Sequence, residues 1–438
     1  MRKWTLIALL AFVLFCLAGV ILYQFTNIHY KLARMVNEVQ AQVFYALNPP
    51  EEAVFIPQEG DVAAIVEATM QALQPSATIS PAPTQSATPT PPGPTPTPQP
   101  SPTPTLSATP IPEAFVLSGI RHEYQQMNNC GPTTLAMALS FWGWQGDQRD
   151  TRLYLRPNFA TVDDKNVMPA EMAGYVDKFT GLKALVRVGG DLDTLKRLVA
   201  AGFPVVIEKG FQPPKEDWMG HFEVINGYDD TRQRFTTQDS YIMPDFPVPY
   251  DQLTDHWWRD FNYTYLVIYP PEREAEVVSI LGPQANSTVN FQHAAQLALE
   301  ETKQLSGREL YFAWFNLGTN LTMLEDYAAA SAAYDQAFAQ YAKLSEHERP
   351  WRMLWYQVGP YQAYYNAGRY QDVIDLANTT LAYLQKPVLE ESFFWRGLAR
   401  EQMGDKEGAI SDLKKSIGLN SNFTPAYQQL ERLGVPAP

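Results

Sequence analysis

The chain has 438 residues and carries 33 Lys and Arg against 47 Asp and Glu, a formal charge of −14 that makes nucleic acid an unsuitable partner. With 45% apolar and 13% aromatic residues it has material for two or three folded cores, which excludes wholesale disorder. Cys16 and Cys130 are the only cysteines, too few for a disulfide framework or a cysteine-ligated zinc site.

No residue from Trp4 to Tyr23 is charged, and twenty residues at ~1.5 Å each give a helix of roughly 30 Å, the thickness of a bilayer's hydrocarbon core. Trp4 and Tyr23 mark its ends as interfacial aromatics do, and no small-x-small cleavage site follows. The expectation is an uncleaved transmembrane signal anchor over residues 1–27. Arg2 and Lys3 before the span are matched by Lys31 and Arg34 after it, so the charge rule alone leaves orientation tied. The stalk-like composition of the following region favours a single-pass membrane protein with its C-terminal domains outside the cytoplasm. The opposite arrangement keeps them inside.

Residues 28–74 carry two stretches of helical period, with Ile28, Leu32, Met35, Val36, Val39 and Val43 on one face and Val62, Ile65, Val66 and Met70 on another. They read as stalk helices. Residues 75–112 follow, with 14 prolines in 38 residues and no Asp, Glu, Lys or Arg. Repeated Thr-Pro steps prevent helix and favour extended polyproline conformations, so this linker is expected to act as a semi-rigid spacer reaching up to ~100 Å.

Residues 113–272 hold the informative chemistry. Cys130 sits in Asn129-Cys130-Gly131-Pro132, after which Leu135, Ala138, Leu139 and Trp142 recur at helical spacing. Pro132 suits a first helical turn, and the unpaired backbone N–H groups of a helix start favour negative charge on sulfur. A thiolate there, with an imidazolium nearby, is what a catalytic thiol requires, although a lone cysteine also fits an inert buried residue. His221 opens a strand-like run to Asp230, and a turn leads to a second run, Arg234 to Asp239, which reads as a hairpin. Asp239 could lie beside His221 on that hairpin and orient its ring, with Glu223, Asp229 and Asp230 as competing acids. Asp191 can cap a helix carrying Leu192, Leu195, Leu198 and Val199, followed by a buried strand from Phe203 to Ile207. Residues 210–220 read as a loop ahead of His221, either bordering a cleft or inert.

The order Gln, Cys-Gly-Pro, Gly-His, Asp resembles the papain-like cysteine peptidases related to the double-glycine leader peptidases of bacteriocin exporters. The resemblance runs from Glu113 to Pro270 and implies an α+β papain-like cysteine peptidase fold. It makes Cys130 the nucleophile, His221 the general base and then acid, and Asp239 the orienting carboxylate. It also implies a glutamine that donates its side-chain amide to the oxyanion, with Gln125 favoured and Gln126 also available. The chain lacks the exporters' Gly-x-x-x-x-Gly-Lys-Ser/Thr phosphate loop, so only the peptidase module is shared. No cofactor is expected.

Residues 288–434 read as an all-α domain of tetratricopeptide-like repeats. Leu317-Gly318, Tyr327, Ala330, Tyr334 and Ala337 mark one helix pair. Gly368-Arg369-Tyr370 with Ala377, and Phe393, Gly397, Gly404-Asp405-Lys406, Ala409 and Leu413, mark two more. Stacked pairs of this kind bury a continuous core and present a concave face to peptide segments. Two functional classes stay open at this point. One is a membrane-anchored thiol hydrolase acting on a peptide or protein substrate, with a protein partner on its repeats. The other is a non-catalytic surface adaptor. Acyl transfer through the same thioester is a third outcome.

Overall fold

The computed structural model of the protein describes residues 7, 9–17, 19, 35, 36, 39, 42, 43, 46, 47, 53–58, 111–157, 167–213, 216–383, 387–436 and 438. The expected span is covered only at 7, 9–17 and 19, which are helical with exposed apolar side chains. The rest of it lies outside the described residues, as do the helix expected around Val62 to Met70 and nearly all of the Thr-Pro segment. No helix among the described residues is long and apolar enough to cross a membrane.

The β-branched and aromatic runs of the middle region form one antiparallel sheet. Its strands are β1 (Ala114–Val116), β2 (Lys183–Arg187), β3 (Val205–Phe211), β4 (Met219–Asp229), β5 (Arg234–Asp239), β6 (Met243–Pro249) and β7 (Tyr265–Tyr269). They run in the order β2-β7-β3-β4-β5-β6, with β1 added beside the far end of β4. The expected hairpin is β4–β5, and the expected strand after Gly202 is β3. Alternating side chains serve two cores. Val206, Phe222, Val224, Leu266 and Ile268 pack with helices α1 (Cys130–Phe141), α2 (Gln148–Leu155) and α3 (Pro169–Phe179). Val205, Ile207, Ile225, Tyr265 and Val267 pack on the other side with α4 (Leu192–Ala200), whose first turn is capped by the Asp191 carboxylate. Val277 and Leu281 of α5 (Glu274–Leu281) join that second core.

The C-terminal region is helical throughout: α6 (Ser287–Thr302), α7 (Gly307–Met323), α8 (Tyr327–Tyr341), α9 (Gly359–Asn366), α10 (Tyr370–Ala382), α11 (Glu390–Gln402), α12 (Lys406–Leu419) and α13 (Thr424–Arg432). Successive helices pack against one another, and small residues sit where they cross. A Cβ on Gly318 would lie 2.8 Å from the Tyr334 ring, so only glycine lets α7 and α8 approach this closely. Tyr370 lies 43 residues after Tyr327, longer than a regular repeat of this kind, and the extra length has a structural source. Residues 345–358 form short 3-10 turns and irregular backbone ahead of α9, which is only eight residues long.

The sheet and the helices share an interior. Trp218 and Phe261 stack at 5.6 Å and 7°, and both belong to the same core as Phe312, Tyr334, Trp355 and Tyr356. The segment expected to loop over 210–220 is therefore shorter and better anchored. β3 continues to Phe211, β4 starts at Met219, and Trp218 between them is fully buried. Arg352 donates to the Trp218 carbonyl and Trp351 to the Asp217 carboxylate, which straps this loop to the helices.

Candidate active site

Helix α1 begins at Cys130, with Pro132 in its first turn where no N–H is needed. The loop before it is held by Gln148 of α2. The Gln148 side-chain carbonyl accepts from the Gln126 backbone N–H, the Asn129 amide and the Thr133 hydroxyl, while its own amide donates to the Tyr124 carbonyl. Sequence reasoning missed Gln148, because nothing in a polar helix start marks it as the post around which the loop before the cysteine is wound.

Strands β4 and β5 bring His221 and Asp239 together. Val224 pairs with Gln238, so Asp239 stands one step further toward the His221 end of the hairpin. His221 Nε2 lies 3.0 Å from Asp239 Oδ1, and the backbone N–H groups of Tyr241 and Ile242 donate to the same oxygen at 2.8 and 2.9 Å. Both side chains are buried. The competing acids are engaged elsewhere. Asp229 pairs with Arg232, Asp230 with Lys196 and Tyr250, and Glu223 with buried Lys209 at 3.2 Å.

The imidazole is also hydrogen-bonded to the Cys130 side chain, whose charge lies beside it. Burial opposes a charged ring, but the charge and hydrogen bond of Asp239, followed by the hydrogen bond to Cys130, overcome it and hold His221 up to about 10. Burial works against the Asp239 carboxylate as well, yet the imidazolium, with help from Lys209 and the Ile242 N–H, keeps it below the usual range. Phe211 stacks on the His221 ring at 4.7 Å and 25°, fixing its plane.

The two glutamines have different surroundings. Gln125 is joined to the residue after Asp239: its N–H donates to the Ser240 carbonyl, and the Ser240 hydroxyl donates to Gln125 Oε1 at 2.9 Å. Gln126 instead accepts from Arg152 at an exposed position. Glu208 is a further residue that sequence reasoning did not find. It pairs across the sheet with Phe222, which shares a core with Cys130, and its Oε1 has no hydrogen-bond partner among the described residues. Burial, then the nearby Cys130 charge, push its carboxyl well above the ordinary range.

Residues 119–261 match the family described as Peptidase_C39 like. Among solved structures, the chain is similar to one from Bacillus anthracis assigned as a C39-like peptidase. The likeness has 19% identity, covers 36% of this chain and 98% of that one, and has a TM-score of 0.30. No curated protein matches the chain.

Proposed function

We propose that the protein is a membrane-anchored, extracytoplasmic cysteine peptidase that hydrolyses peptide bonds with Cys130, His221 and Asp239, assisted by Gln125. The observation that carries this reading is the placement of one imidazole between the Cys130 sulfur and the Asp239 carboxylate. In the proposed reaction the Cys130 sulfur attacks the scissile carbonyl carbon, and His221 gives its proton to the departing amine, leaving a thioester. Water then attacks that thioester. His221 takes a proton from the water, the C–S bond breaks, and the carboxylic acid product leaves with the thiolate and the imidazolium restored. The Gln125 amide and the Cys130 backbone N–H stabilise the oxyanion in both steps.

The exposed apolar helical residues between 7 and 19 support a membrane anchor, and the uncharged Thr-Pro composition supports an extracytoplasmic position. The glycine-mediated crossing of α7 and α8 supports a tetratricopeptide-like reading of the helical region, with protein segments as its partners.

The test compares alkylation of Cys130 by a small electrophile at neutral pH in wild type, His221→Ala and Cys130→Ala, alongside cleavage of a denatured-protein peptide pool. Fast labelling and new termini in wild type alone support the peptidase. Equal labelling of wild type and His221→Ala, with no cleavage, leaves the adaptor.

A further inference from the structure

Residues 53–58, Ala-Val-Phe-Ile-Pro-Gln, are neither helix nor strand and lie on the helical region, far along the chain from the residues they touch. Phe55 is only 5% exposed. Its ring meets Phe338 edge-on at 5.0 Å and Tyr364 at 6.1 Å, in a recess also lined by Tyr311, Tyr341 and Leu376. The backbone is held at both ends. The Tyr383 hydroxyl donates to the Ala53 carbonyl at 2.7 Å, the Gln58 N–H donates to Asp372 at 2.9 Å, and Arg369 donates to the Gln58 carbonyl at 3.1 Å. Arg369 is in turn fixed by Asp335 and Asp372. Ile56, the next residue, is 76% exposed.

This is how a bound peptide is read: main-chain groups held at both ends, one aromatic anchor in a pocket, and the neighbouring side chain left in solvent. We infer that the helical region contains a peptide-binding groove specific for an apolar segment with an aromatic anchor, and that residues 53–58 of the same chain are its resident ligand. The inference does not depend on the peptidase reading. Ile111 and Pro112, at the other end of the Thr-Pro segment, are also fixed, the former against the sheet's core and the latter by the Tyr228 hydroxyl at 2.8 Å. The chain is therefore fastened to the folded body on both sides of residues 59–110. The covalent link between residues 58 and 111 keeps the ligand at high effective concentration, since the entropic cost of joining two points grows only slowly with the length between them.

The test uses the full chain in detergent, with an N-terminal affinity tag and a site-specific protease sequence placed between residues 80 and 100. After immobilisation and cutting, a docked segment retains the body on the resin, and an undocked one lets it elute. Retention is expected for wild type and for Ile56→Asp, and elution for Phe55→Asp and for Arg369→Ala combined with Asp372→Ala. Unchanged near-UV circular dichroism of the Phe55→Asp body checks that its release is not unfolding. Elution of the wild-type body overturns the inference, as does equal behaviour of Phe55→Asp and Ile56→Asp.

Discussion

The Ser240 hydroxyl donates to Gln125 Oε1 at 2.9 Å, across 115 positions of sequence. Because an amide group is planar, fixing its oxygen also fixes the direction of its two N–H donors. Gln125 is therefore set in orientation by the residue that follows the His221 partner, whereas Gln126, itself exposed, is set by Arg152 of α2. Gln125→Ala is expected to slow acyl-enzyme formation by about 10²–10³-fold, the usual loss of one oxyanion donor. Gln126→Ala is expected to change it by less than about threefold, and Ser240→Ala to fall between them. Single-turnover kinetics on a chromogenic ester would rank the three, and a larger loss at Gln126 would reverse the assignment.

The pH dependence follows from the raised imidazole. His221 is lifted from an ordinary 6.5 to about 10, so its contribution to stability is complete below about 6.5 and fades as pH climbs through about 10. Asp239 is shifted downward and stays ionised over that whole window, so it does not alter the sign. The stability advantage of wild type over His221→Gln, measured by urea unfolding, is expected to shrink between pH 6.5 and pH 10. An advantage that grows with pH would contradict the pairing.

Glu208 provides a separate test of charge beside the sulfur. Since burial favours the uncharged carboxyl, Glu208→Gln is expected to keep Cys130 alkylation within about threefold of wild type. Glu208→Lys would place an ammonium in the same enclosed site, and unfolding at lower denaturant is expected, by about 3 kcal/mol or more. Denaturant titration of both variants checks the pair.

Gly220 lies where the sheet meets the helices. A Cβ there would fall 2.7 Å from Phe261 and 3.2 Å from Tyr356, so Gly220→Ala is expected to cost about 1–3 kcal/mol through overpacking. The damage would spread to His221 next along β4, and Cys130 labelling should slow in parallel with the loss of stability. A chain stopped after residue 272 would uncover Trp218 and Phe261 together, and binding of a hydrophobic dye is expected to report it.

Much of the site's local frame was legible in the sequence because its signals are short-range. Pro132 marks a helix start at Cys130, and strand runs either side of a turn mark the hairpin from His221 to Asp239. Asp191 and Gly318 likewise act on residues close in sequence or at fixed helical spacing. What could not be read depends on distant partners. Gln148 matters only through the loop it holds, Trp218 only through Phe261 and the helices, and Glu208 only through the layer it is buried in. The choice between Gln125 and Gln126 needed the position of Ser240. The composition of the Thr-Pro segment likewise carries no information on where the residues to either side of it are fastened.

That fastening decides how the molecule carries load. Traction applied from upstream of residue 53 meets the body first at the Phe55 recess. Once that contact yields, the load passes to Ile111 and Pro112, the next fastened residues along the chain.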